Sequence, residues 1–165
     1  MDIQFLDGCA HPDAVGPLFQ EYTDMLLAEK PAFEAYLQLQ NYDQELSHLS
    51  DKYGPPDGRL YLLVTETGEA VGTGAIRPLE GGLWELKRLY IRPAFRGQGL
   101  AERTVRRLIA DARSMGCRRM VLDTFPFLAG AICLYKKLGF REIESYNGAP
   151  MPDLIYLGLD LAEED

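Results

Sequence analysis

The chain has 165 residues, 47% hydrophobic and 25% charged, with a net charge of −8. That length suits one domain over residues 1–165 with a real core. The acidic balance speaks against nucleic-acid binding, which needs a basic surface, and no apolar run approaches the roughly 18–20 residues that span a bilayer.

The first residues, MDIQFLDGCAHPDAV, carry Asp2 and Asp7 and no basic n-region, so no signal peptide is expected. "DIQFL" (2–6) has the pattern of a short strand. From His11 to Glu29, apolar Val15, Leu18, Phe19, Tyr22, Met25 and Leu26 recur at spacings of three and four, one face of a helix. A less regular helical pattern covers 33–49. "DKYGPPDGR" (51–59) is turn chemistry, broken by glycines and prolines. Three strand-like runs follow, 60–65, 70–77 and 83–91, with Gly-containing separators that predict an antiparallel meander. The remaining expectations are a helix (99–115), a strand (119–124), a helix (127–138) and two strands (140–146 and 154–161). Gly116 and Gly139 supply the helix stops. This order predicts a mixed α+β fold around one sheet.

Cys9, Cys117 and Cys133 are odd in number and scattered, which predicts a reducing, cytoplasmic setting rather than a disulfide framework. With only His11 and His48 beside them, no spacing suggests a metal site. Cys133, in an apolar helical run, is expected as a core thiol rather than a nucleophile. The charge is uneven: residues 87–119 hold ten of the 17 basic residues and only two acids, Glu102 and Asp111. Most of these arginines suit solvated helix faces, yet the stretch also suits a small anionic ligand.

Arg96-Gly97-Gln98-Gly99-Leu100-Ala101 raises that choice most sharply. Behind it, Ala101, Val105, Leu108, Ala112 and Met115 form one apolar stripe, so the glycines stand at the N-terminus of a packed helix. Backbone N–H groups there lack intrahelical partners and favour negative charge. Arg96 adds a fork suited to phosphate oxygens. A P-loop is excluded because no Gly-Lys-Ser/Thr follows, and a dinucleotide fingerprint because position 102 is Glu. On the loop alone, a plain strand-to-helix turn remains open.

Arg96-x-x-Gly99-x-Ala101 resembles the acyl-CoA motif of the GNAT superfamily, the Gcn-related N-acetyltransferases, and "AICLYKKLGF" (131–140) resembles that family's second block. The motifs cover about 83–140, and the order of elements matches from end to end. The resemblance implies a GNAT-like acyl-CoA N-acyltransferase fold, with a mostly antiparallel twisted sheet flanked by helices. Its fourth and fifth strands splay into a V that holds acetyl-CoA. It implies that Arg96, Gly97, Gln98, Gly99, Leu100 and Ala101 wrap the pyrophosphate, and that Leu89, Tyr90 and Ile91 pair with the pantetheine arm, like an added strand. It implies acetyl transfer to an amine, with no metal, nucleic acid or membrane among the partners, and admits a homodimer. A catalytically silent CoA-binding sensor or scaffold is the alternative.

Such transfer needs a base, an oxyanion site and an acid. Tyr135 matches the family's tyrosine acid, although Leu128, Ile132 and Tyr135 also suit a core stripe. Glu85 stands where some members carry a glutamate base, and burial beside Trp84 is expected to raise its pKa. A Glu85–Lys87 surface pair or a water chain competes with that role. Backbone N–H groups near Leu89 or Tyr90, at a bulge, are the expected oxyanion donors. Leu128 replaces an Asn that many members use to hold the cofactor. Asp123 suits either a cap or contact with the acceptor. Tyr22, Tyr36, Tyr42, Tyr53 and Tyr146, with Glu21, Asp24, Glu29 and Glu34, suit an acceptor amine. The loop 145–153 is expected to wall the acceptor side.

Overall fold

The computed structural model describes residues 2–31, 45, 48–147 and 153–161. Its strands are β1 (Ile3–Asp7), β2 (Arg59–Thr65), β3 (Ala70–Pro78), β4 (Leu83–Ile91), β5 (Arg119–Thr124), β6 (Arg141–Glu142) and β7 (Ile155–Asp160). Its helices are α1 (Pro12–Glu29), α2 (Leu49–Tyr53), α3 (Leu100–Ser114) and α4 (Ala129–Lys137). The strands form one seven-stranded sheet in the order β1-β2-β3-β4-β5-β7-β6. Every neighbouring pair is antiparallel except β4 and β5, which run parallel.

Alternation along β2 assigns the two faces. Leu60, Leu62 and Val64 pack with Val15, Leu18, Phe19 and Leu26 of α1, while on the other face Val105, Leu108 and Ala112 of α3 pack with Ile76 and Leu86. α1 starts with Pro at its first position, where a missing N–H costs nothing. The helix stripe of α3 is buried at Val105, Leu108 and Ala112, together with Thr104 and Ile109. The meander matches its expected runs closely, because Thr67-Gly68 and Gly81-Gly82 leave no other place to reverse.

Three expectations need correction. The stretch read as pure turn from 51 begins inside α2, where Leu49 and Tyr53, four apart, are both buried and Gly54 stops the turn. The strand expected over 140–146 shrinks to Arg141–Glu142, with one further backbone bond from Ile143 N–H to the Tyr156 carbonyl (2.9 Å). The chain leaves the sheet there because Tyr146 and Asn147 bond across to β4 and β5. Cys133 is exposed rather than in the core, since α4 buries only Tyr135. The helix expected over 33–49, with Glu34, Tyr36 and Tyr42, lies outside the described residues except for Glu45, His48 and Leu49. No helix among the described residues is long and apolar enough to cross a membrane.

Candidate active site

β4 and β5 pair only from Leu83–Arg119 to Glu85–Val121. Beyond that point β4 runs on to Ile91 and β5 to Thr124, and the two strands splay into a V. A cavity of about 720 Å³ fills the gap, running from Gly97, Gly99 and Ala101 past Leu89, Tyr90 and Ile91 to Asp123, Leu128 and Tyr135. α4 faces this opening, which explains why its apolar side is only half covered: Ala131 and Leu134 line the cavity as well.

One half of the cleft is built from backbone. Gly99, the N-cap of α3, has φ 74°, and Gly97 has φ 80°. Both values lie where L side chains are strained. A Cβ at either glycine would meet nothing within 4 Å, so space is open beside them. No side chain caps the helix. Its first amides are therefore available to an anion, as a pyrophosphate site requires. Arg96 donates from Nε to the Ile91 carbonyl (2.8 Å) and stacks over Tyr90 (5.6 Å), which ties the arginine beside the loop. Arg96, Leu100 and Ala101 line the cavity; Gln98 is exposed and does not. Leu128 stands just before α4 and makes no side-chain cap, so the polar contact of an Asn is absent there. The residues present fit an acyl-CoA through its pyrophosphate and pantetheine.

The centre is a bulge. Thr73 pairs with Tyr90 and Ala75 with Lys87, so Arg88 and Leu89 together oppose Gly74. Arg88 takes φ 57°, an uncommon conformation for a side-chain-bearing residue. Three contacts hold it there. Its carbonyl accepts from Thr73 Oγ1 (2.7 Å), its guanidinium forks onto Glu45 (2.7 and 2.9 Å), and it lies over the Phe19 ring (5.7 Å). Glu45 also accepts from Lys52 (2.6 Å). Burial pushes the Glu45 carboxyl up, but Arg88 and Lys52 outweigh that and hold it down at about 2.

The other half of the cleft is built from side chains. Tyr135 is buried, packs against Phe140 (5.6 Å between centroids) and lines the cavity. Burial, reinforced by Tyr22 and Asp123, pushes its phenol up, so it keeps its proton at neutral pH. Tyr22 lines the same cavity and is pushed up to about 12, chiefly by burial. Asp123 lines it too, and accepts from Asn147 Nδ2 (3.0 Å).

Glu85 differs from its expectation. It is 2% exposed and does not line the cavity. Oε1 accepts from Arg77 (2.8 Å) and Oε2 from the Tyr146 hydroxyl (2.6 Å). Burial pushes the carboxyl up, but the charges of Lys87 and Arg77 and the bonds from Tyr146 and Arg77 win, and it sits below the usual carboxylate range. The expected rise in pKa is thus reversed by Lys87, the neighbour already visible in the sequence, together with Arg77 and Tyr146, which were not. Trp84 itself turns to the Asp57 carbonyl (2.8 Å).

Lys87 takes the place beside the cavity. Its side chain is only 7% exposed, and its sole ion pair among the described residues is 4.0 Å from Glu85 Oε1, beyond hydrogen-bond reach. Burial, with Arg88 adding to it, pushes the ammonium down to about 8 against the pull of Glu85. Sequence placed Lys87 on the face of Glu85 but gave it no part in the site. Glu45 carried no local signal at all, being 43 residues from Arg88. Glu21, expected near the acceptor, instead pairs with Arg92 (2.7 Å), and Tyr53 is fully buried. No group of three His, Cys, Asp or Glu among the described residues could hold a metal.

Comparison with known proteins bears on this cleft. The acetyltransferase (GNAT) family matches residues 19–140. An N-acetyltransferase of Schizosaccharomyces pombe is 40% identical over 77% of this chain and 78% of its own length. An IAA acetyltransferase of Azospirillum brasilense is 36% identical over 61% of this chain and 67% of its own. Among solved structures, a GNAT-family acetyltransferase of Staphylococcus aureus Mu50 superposes with a TM-score of 0.76 at 17% identity, covering 97% of this chain and 99% of that one. The PaiA N-acetyltransferase of Thermoplasma acidophilum, solved in complex with coenzyme A, gives a TM-score of 0.73 at 13% identity over 97% and 99% of the two chains.

Proposed function

The chain belongs to the acetyltransferase (GNAT) family, and from that premise we propose that it moves the acetyl group of acetyl-CoA to a primary amine by direct attack. The observation that carries this reading is one continuous cavity joining an uncapped helix N-terminus, with two positive-φ glycines, to a buried tyrosine. The amides of Gly97 to Ala101, with Arg96, hold the pyrophosphate. On its β5 side, where no strand pairs with it, β4 from Leu89 to Ile91 supplies backbone partners for the pantetheine arm.

The bulge at Arg88–Leu89 turns backbone N–H groups away from β3, where they serve the oxyanion of the tetrahedral state. Tyr135 keeps its proton and gives it to the departing thiolate. Asp123 draws the acceptor ammonium into the cleft. Its proton leaves to solvent in the cavity, because Glu85 is held ionised by fixed partners and stands behind the lining. Glu85 then acts by fixing Tyr146.

Leu128 in place of a polar cofactor contact favours the second reading, a CoA-binding protein without turnover. Calorimetry with acetyl-CoA, followed by thiol release across a broad amine panel, separates the two. The transfer reading expects binding and amine-dependent release. Binding without release from any amine establishes the silent reading, and no binding removes both.

A further inference from the structure

We infer that the acceptor is a zwitterion, an amine with a carboxylate beside it, and that Lys87 holds the carboxylate while Asp123 holds the ammonium. The inference rests on the acetyl-transfer reading and names the substrate class for that site. It starts from an ammonium that the mechanism does not use. A buried charge is costly unless it is paired and hydrogen-bonded. Lys87 is more than nine-tenths buried, donates no hydrogen bond among the described residues, and has Glu85 only at 4.0 Å. Glu85 is already committed to Arg77 and Tyr146. The side of Lys87 that remains open is the cavity.

Among the described residues the charges around it do not cancel. Arg88 from β4, Lys52 from α2 and Lys87 itself face Glu85 of β4, Glu45 and Asp123 of β5, and Arg77 of β3 adds a fourth cation to these three anions. Arg88 and Lys52 are spent on Glu45, and Arg77 on Glu85. Among the described residues Lys87 is the cation left over, and it lines the cavity. Asp123, also in the lining, stands on the facing strand near enough for its charge to act on Lys87. Opposite charges set side by side where two strands part match an α-amino acid, whose amine and carboxylate share one carbon. A charge-assisted contact of this kind is worth about 1.5–3 kcal/mol, which is roughly 10- to 100-fold in affinity.

The test compares glycine, leucine and phenylalanine, each with its carboxamide, and phosphoethanolamine as an amine with a phosphate instead. Thiol release from acetyl-CoA gives kcat/KM for each. The best amino acid is expected at least about 10-fold above its amide. In Lys87→Met that preference falls to within about 2-fold, through KM rather than kcat, while the Kd for acetyl-CoA holds. Equal kcat/KM for amino acid and amide in the wild type overturns the inference. So does a Lys87→Met variant that loses rate equally on acids and amides, which would make Lys87 part of the proton chemistry. A marked preference for phosphoethanolamine overturns the carboxylate assignment.

A second arm needs no turnover. N-acetyl-leucine and N-acetyl-leucinamide are titrated calorimetrically into the protein with CoA present, in wild type and Lys87→Met. Carboxylate-selective binding that Lys87→Met abolishes supports the inference even if no amine releases thiol, and in that case it is the transfer reading that fails. No carboxylate selectivity overturns the inference whatever the thiol assay gives.

Discussion

The two ends of the cleft are made differently. At the α3 end the groups proposed to hold the cofactor are backbone amides beside Gly97 and Gly99, and the nearby Arg96 is tied to the carbonyl of Ile91. At the β4–β5 end the groups are side chains, buried at Arg88 and Glu85 and half-buried at Asp123, each held by a specific partner: Arg88 by Glu45, Glu85 by Tyr146 and Arg77, Asp123 by Asn147. A backbone site binds what all members of a family share and depends on local conformation. A side-chain site depends on long-range pairing, and its charges decide which acceptor enters. The comparison predicts that substitutions at the two ends fail in different ways.

The largest effect is expected for Glu45→Gln. It leaves the Arg88 guanidinium, 4% exposed, facing a neutral amide with its partner's charge removed, and breaking such a buried pair costs about 3–5 kcal/mol. Denaturant unfolding measures it; a loss under 1 kcal/mol would mean the pair is not buried as described. The same carboxylate sets an acid limit. Its folded pKa of about 2 lies below the unfolded value, so its stabilisation is complete above about 4.5 and is lost as pH falls toward 2. Glu45→Gln should remove that part of the acid transition.

Tyr135→Phe comes next. Loss of the proton donor should lower kcat by about 100-fold with the acetyl-CoA Kd nearly unchanged. An unchanged kcat takes Tyr135 out of the acid role. At the backbone end, Gly99→Ala forces a side chain to φ 74°, at a cost of about 1–2 kcal/mol. It should weaken acetyl-CoA binding roughly 10-fold while the ratio of acceptor preferences stays fixed. A changed acceptor preference would show that the two ends are not separate.

The smallest effect has the opposite sign. Lys87 has a folded pKa of about 8, below its unfolded value, so folding disfavours its charged form. Wild-type stability should therefore rise with pH between about 8 and 10.4. Lys87→Met should lose that rise and gain about 1 kcal/mol at pH 7. Thermal unfolding across pH checks both statements.

The same division explains what the sequence disclosed. The turn from Arg96 to Ala101 was legible as a helix N-terminus because a glycine-rich turn, an amphipathic helix and a preceding strand are all local patterns. The helix that carries Tyr135 was legible through the short block around it. The splay of β4 from β5 came with the family resemblance that these motifs carry. The acceptor end was not legible, because its pairs other than Arg77–Glu85 join residues 24 to 61 positions apart. Glu85 shows the cost of reading alone: burial and the neighbouring Lys87 were foreseen, but Arg77 and Tyr146 were not, and Lys87, Arg77 and Tyr146 together reverse the direction of its pKa. Cys133 shows the same limit: its helix was read as packed on that side, but Cys133 is exposed, while Ala131 and Leu134 line the cavity.

The most direct test of the account is a structure of the complex with CoA. The expected result places the pyrophosphate on the amides of Gly97 to Ala101, the pantetheine along Leu89 to Ile91, and the sulfur within hydrogen-bond reach of the Tyr135 hydroxyl. A CoA bound outside the β4–β5 cleft, or a sulfur turned away from Tyr135 and from Lys87 and Asp123, would contradict it.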